Sequence, residues 1–146
     1  MPLVYYRIIN EPIDIRFLEA KVSEVTNGAV LTFIGQVRVN SRGREVSYLE
    51  YDAYVPLAEK QIGRITKSAA ERWQVDVAVE HRFGRIELGE ASIVICVGAP
   101  HRDVVYEASR YLIDTIKEEV PIWKREVCPD GDFWIEGEEA IRASEA

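Results

Sequence analysis

No stretch of this 146-residue chain approaches the ~20 consecutive apolar residues that a membrane-spanning helix requires. Its first residues, Met1-Pro2-Leu3-Val4-Tyr5-Tyr6-Arg7, lack the basic-then-apolar layout of a secretory signal, so the expected location is the cytoplasm. Cysteine is scarce. Cys96 and Cys128 make no disulfide framework, and without a CxxC or a Cys/His spacing no metal is expected. Cys96 lies inside the apolar run Ile93-Val94-Ile95-Cys96-Val97, where a thiol behaves as a small hydrophobe, whereas Cys128 falls in a polar turn region and is read as exposed. Repeats and low-complexity stretches are absent, and Gly84 and Gly89 stand too far apart to make a phosphate loop.

What remains is ordinary globular material, 47% apolar and 29% charged, of a length that suits one domain over residues 1–146. A chain of this size buries about two-thirds of its unfolded surface and needs no staple. The net charge of −7 is unevenly placed. Between residues 130 and 146, six acids face one base, Arg142, so this segment, with an acidic tail from about residue 137, carries a net charge of −5 of the chain's −7. An acidic chain is a poor nucleic-acid binder, because affinity for a polyanion comes mainly from neutralising its phosphates. Any anion it handles must be met by a local cluster of cations.

Periodicity gives an α+β order. A β-branched and aromatic strand over 3–9 precedes a short helix capped by Asp14, with Ile15, Leu18 and Val22 on one face, running to about 25. Residues 29–38 read as a strand buried on both sides at its start. A polar, Gly-containing segment over 39–45 reads as a mobile loop. Another strand, over 46–54, precedes a helix with Pro56 in its first turn and Ala58, Ile62, Ile65, Ala69 and Trp73 at helical spacing. Val75, Val77 and Val79 alternate, and 93–99 is a strong β run joined to them by a hairpin at Glu87-Leu88-Gly89-Glu90. A third helix, from 103 to about 119, buries Val105, Ala108, Leu112, Thr115 and Ile116 and is stopped by Pro121. Pro129-Asp130-Gly131 closes a C-terminal hairpin. The sum is a mostly antiparallel sheet with three main helices on one side.

Basic residues stand at element ends in three places. Gln36, Val37 and Arg38 end a strand. His101 and Arg102 precede a helix whose free N–H groups already favour an anion, although Arg102 could equally pair with Asp103. Lys117 occupies the last turns of that helix, where a lysine can simply snorkel to water. Lys124 lies between Ile122 and Glu126 on one face of a short strand, either at an edge or lining a pocket. If the two lysines converge with Arg38 and Arg102, repulsion lowers a lysine pKa and frees a neutral amine for base or nucleophile work. The neighbouring Glu80-His81-Arg82 reads as strand-end polar residues.

The ordered segments Gly28-Ala29, Phe33-Ile34-Gly35-Gln36-Val37-Arg38, Leu49-Glu50-Tyr51-Asp52-Ala53-Tyr54, His81-Arg82-Phe83-Gly84, Gly89-Glu90, His101-Arg102 and Lys117 followed by Pro121-Ile122-Trp123-Lys124-Arg125-Glu126 resemble the molybdopterin synthase catalytic subunit family, across about 28–134. The resemblance implies an α/β-hammerhead-like fold and a homodimer of catalytic subunits. Each would bind a small ubiquitin-like sulfur carrier, giving a heterotetramer. The carrier's thiocarboxylated Gly-Gly tail would pass sulfur to cyclic pyranopterin monophosphate, forming the dithiolene of molybdopterin in molybdenum cofactor biosynthesis, with no bound cofactor. It also implies that Gln36, Val37, Arg38, His101, Arg102, Lys117, Lys124, Arg125 and Glu126 bind substrate, with Lys117 the principal catalytic group and Lys124 in electrostatic support. A non-catalytic binding module of the same fold, taking the pterin phosphate or the carrier, is the alternative. The chain departs from the family pattern at Gly98-Ala99-Pro100-His101, where a Ser-rich turn is expected, and at Gln36, where lysine is frequent. The stretch Glu136-Gly137-Glu138-Glu139 also lacks an arginine that some relatives carry.

Overall fold

The computed structural model describes residues 2–136 and 139–142. The elements run β1 (Val4–Ile9), α1 (Ile15–Val22), β2 (Ala29–Gln36), β3 (Asn40–Ser41), β4 (Arg44–Glu45), β5 (Tyr48–Ala53), α2 (Val55–Trp73) and β6 (Asp76–Arg82). They continue with β7 (Gly84–Glu87), β8 (Ala91–Ala99), α3 (Arg102–Glu119), β9 (Ile122–Cys128), β10 (Gly131–Glu136) and β11 (Glu139–Arg142). One sheet has the order β1-β6-β8-β2, a second has β11-β10-β9-β5-β7, and β3 and β4 form a small hairpin. Only β1 and β6 run parallel among the described residues, so the architecture is α+β with mostly antiparallel pairing, as expected.

The helices, however, do not share one side. Successive strand residues point to opposite faces, and β6 and β8 are apolar on both. Val77, Val79, Ile93, Ile95 and Val97 meet Ile62, Ile65, Leu112 and Ile116 of α2 and α3. Ala78, Val94 and Cys96 meet Leu18 and Val22 of α1 on the other face. Asp14 caps α1 by accepting from the Phe17 amide at 3.1 Å, and the helix ends at Val22, short of the expected 25. An eight-residue helix is only about 12 Å long, too short to cover the whole sheet. Hence β2, at the sheet edge, leaves Val30 and Ile34 about two-fifths exposed, contrary to the reading of a strand buried on both sides.

Three further differences follow from long-range contacts. Residues 40–45 are an ordered hairpin, turned by Arg42 and Gly43 at positive φ, rather than a mobile loop. The predicted 87–90 turn does precede β8, and β6 does pair antiparallel with β8, but β7 intervenes and joins the second sheet. Cys128 is buried in a small core with Val37, Val46, Leu49 and Ile86, beneath the second sheet. Part of the acidic C-terminal stretch, Glu139–Arg142, is strand β11 paired to β10; residues 137–138 and 143–146 lie outside those described.

Gly98, in the departing turn, stands where β8 passes under the end of α1. A Cβ there would fall on the Val22 carbonyl oxygen and 2.8 Å from Asn27 Nδ2, the same amide that bonds both Val22 and Asp76. The obstacle is backbone, so relief requires moving α1. Gly98→Ala should lower stability by about 1–3 kcal/mol, read as a fall in the urea midpoint at unchanged slope. An unchanged midpoint would show that the close approach is not tight.

Candidate active site

A cavity of about 890 Å³ opens where the end of β2, the 40–45 hairpin, the C-terminal end of α3 and one face of β9 meet. Alternation along β9 sets its chemistry: Lys124 and Glu126 face the cavity with Ile122, while Arg125 points away. Pro121 ends α3 and lets the chain re-enter as β9, so Lys117 on the last helical turns stands over the same space. A register shift between Gly35 and Gln36, where β2 leaves β8, brings Gln36 and Arg38 to the rim.

Five of the expected site residues are therefore brought together: Gln36, Arg38, Lys117, Lys124 and Glu126. Val37 is not among them. It turns into the small core beneath the second sheet, and its backbone bonds the turn before β8, N–H to the Glu90 carbonyl and carbonyl from the Gly89 N–H. Arg125 bonds Glu50, approaches Asp132 at 3.8 Å and lines a separate cleft with Trp134. His101 and Arg102 are exposed at the opposite end of α3. Fifteen residues of helix put Arg102 about 22 Å from Lys117. Within one chain, Arg102 does not join the lysines.

Electrostatics single out this cavity. In a chain of net charge −7, four cationic side chains (Arg38, Arg42, Lys117 and Lys124) face it, against one carboxylate, Glu126. Glu126 is only 2% exposed and already engaged. Arg44 donates to Oε1 at 2.6 Å, Ser41 Oγ donates to Oε2, and Arg42 lies 3.7 Å from Oε2. It thus clamps the 40–45 hairpin across the cavity wall. Lys124 is held below the ordinary lysine pKa of 10.5, first by burial; Glu126 opposes the shift, while Lys117, Arg42 and Arg38 add to it.

His81, read from the sequence as a strand-end polar residue, and Tyr51, not among the expected site residues, both belong to the site. Both line the cavity, with rings edge-on at 5.2 Å. Burial drives the His81 pKa down to about 4, with the Lys117 charge in support, so the imidazole is neutral at pH 7. Burial likewise raises the Tyr51 pKa, and Ser92 bonds its hydroxyl. The available signal was a run of three polar residues, Glu80-His81-Arg82, closing a strand whose preceding residues Val77, Ala78 and Val79 are apolar and buried.

The clamp has a measurable consequence. Glu126→Gln removes the charge that holds Lys124 up and weakens charge-assisted bonds to the hairpin worth about 2 kcal/mol. The Lys124 ammonium should then titrate at a lower pH than in the parent, followed by Nζ or Cε NMR, with faster amide exchange across residues 40–45. A Lys124 titration that rises or stays fixed would contradict this electrostatic picture.

Known proteins match this chain in sequence and in fold. The family profile described as MoaE protein covers residues 8–119. A molybdopterin synthase catalytic subunit of Halalkalibacterium halodurans is 44% identical over 131 residues, 89% of this chain and 84% of that protein. One from Pyrococcus abyssi is 39% identical over 92% of this chain and 93% of its own. The crystal structure of molybdopterin synthase from Staphylococcus aureus superposes with a TM-score of 0.85 at 37% identity, covering 89% of this chain and 96% of that one. The resemblance carried by the sequence motifs is borne out, and the chain belongs to the MoaE family of molybdopterin synthase catalytic subunits.

Proposed function

We propose that this chain, acting as a single catalytic domain, transfers sulfur from the thiocarboxylated Gly-Gly terminus of a small ubiquitin-like carrier protein to cyclic pyranopterin monophosphate. Two transfers build the molybdopterin dithiolene. The observation that carries the reading is the cavity itself, four cations around one committed carboxylate, one of the four being a lysine whose amine is destabilised as a cation. Both substrates are anionic, and negative charge develops as the cyclic phosphate opens and the carrier carboxylate departs. Fixed cations in a partly dry cavity stabilise such charge. No catalytic cysteine is called for, because the sulfur arrives on the carrier.

The motif resemblance gives Lys117 the principal catalytic role. The geometry supports a division in which Lys124, the half-buried amine with lowered pKa, moves the proton, and Lys117, exposed at the end of α3, meets the incoming tail. Glu126 then acts by holding the hairpin and by setting Lys124 rather than by touching substrate. We assign Gln36 and Arg38 to the substrate at the rim. The placement of Val37 and Arg125 favours support of the walls for both. No helix among the described residues is long and apolar enough to cross a membrane, and we place the reaction in the cytoplasm.

His101 and Arg102 can share this chemistry only from a second copy, since α3 holds them at its far end from Lys117. This favours a homodimer with composite sites, each carrying one carrier protein. In reconstitution with thiocarboxylated carrier and the cyclic pterin, Lys124→Ala should cut turnover on the order of 100-fold or more, with the circular dichroism of the parent. Mixed in equal amounts after subunit exchange, the inactive Lys124→Ala and His101→Ala chains should regain about a quarter of parental activity, because half the dimers carry one intact site in two. Retained turnover in Lys124→Ala rules out its role, and a mixture no better than its components rules out the shared site.

A further inference from the structure

We propose that His81 is a specificity contact of the cavity, its Nε2 accepting a hydrogen bond from an N–H donor on the heterocycle of the ligand. The inference rests on the sulfur-transfer reading, and it concerns how the pterin end is told from the phosphate end. His81 Nδ1 lies 2.9 Å from the Arg82 carbonyl oxygen. A carbonyl can only accept, so Nδ1 carries the hydrogen and Nε2 presents its lone pair. The ring is held edge-on against Tyr51, which fixes that orientation.

Nε2 has no hydrogen-bond partner among the described residues, yet it is not sealed in protein. The sealed, unpartnered side-chain atoms among the described residues are the Nε atoms of Arg44, Arg82 and Arg125. It therefore opens on the cavity that His81 lines. The other groups there leave a gap in function. Arginine and lysine side chains donate and cannot accept, Glu126 is committed to the hairpin, and Ser92 donates to the Gly35 carbonyl at 3.2 Å while it bonds Tyr51. His81 is the buried side-chain acceptor left uncommitted among the described lining residues. Burial and the nearby Lys117 charge keep it unprotonated, so it stays an acceptor at neutral pH. Phosphate offers a cationic wall only acceptors, whereas a pterin offers ring N–H and amino donors. An acceptor in this position is matched to the heterocycle.

Two variants separate the acceptor from the fold. His81→Asn keeps a donor near Nδ1 for the Arg82 carbonyl and loses the Nε2 acceptor; His81→Gln places an amide oxygen near Nε2. Calorimetric titration with cyclic pyranopterin monophosphate should show His81→Asn weakened about tenfold. Inorganic phosphate should bind as it does to the parent, and His81→Gln should recover most of the pterin affinity. In turnover, His81→Asn should raise KM for the pterin with kcat largely kept. In the parent, labelled with ¹⁵N-histidine, the Nε2 resonance should move on adding the pterin and stay put on adding phosphate. Equal pterin affinity in His81→Asn, or an Nε2 signal indifferent to the pterin, overturns the inference while leaving sulfur transfer intact. A parent protein that binds no pterin overturns both.

Discussion

Glu126 sits almost fully buried in a wall that otherwise gathers cations, and both of its oxygens are engaged, one by Arg44 and the other by Ser41 with Arg42 nearby. This contact joins residues more than 80 positions apart and fixes one side of the cavity. The same carboxylate, two residues from Lys124 on the same strand face, opposes the fall in its pKa. One charge thus sets both the shape of the site and the balance of its lysine. Breaking a buried ion pair by removing one partner is costly because the survivor is left uncompensated. Here the survivors would be arginines on the hairpin.

The cavity is a local reversal of the charge of the whole molecule. Acids dominate the sequence, most densely from residue 130 onward, yet the end of α3, the end of β2 and one face of β9 assemble cations. Convergence of like charge is unfavourable unless something offsets it. Glu126 supplies part of that offset, and the neutrality of His81 avoids adding to the charge. The remaining excess is what an anionic substrate would neutralise, so binding and relief of repulsion act together.

Much of the fold was legible from residue patterns. The three helices, their apolar stripes, the caps and stops at Asp14, Pro56 and Pro121, and the C-terminal hairpin follow from local rules. The end of α1 aside, the errors are non-local. An amphipathic α1 shows that it has an apolar face but not which face of a sheet it covers, and the apolar run of β2 looks the same at an edge as in a centre. The 40–45 segment looked like a free loop because its anchor is far away in sequence. In the site, alternation placed Lys124 with Glu126, and the same rule excludes Arg125 and Val37, which motif matching had swept in with their neighbours. His101 and Arg102 were grouped with the lysines by motif, whereas a straight helix keeps them apart.

Sulfur transfer as proposed requires the carrier tail to enter this cavity and reach its lysines. Zero-length carbodiimide coupling of the carrier's C-terminal carboxylate to the chain, followed by peptide mass spectrometry, tests that most directly. The expected product is an amide between the terminal glycine and Lys117 or Lys124, suppressed by excess cyclic pterin. Linkage confined to Lys21, Lys60 or Lys67, on α1 and α2 away from the cavity, would contradict it.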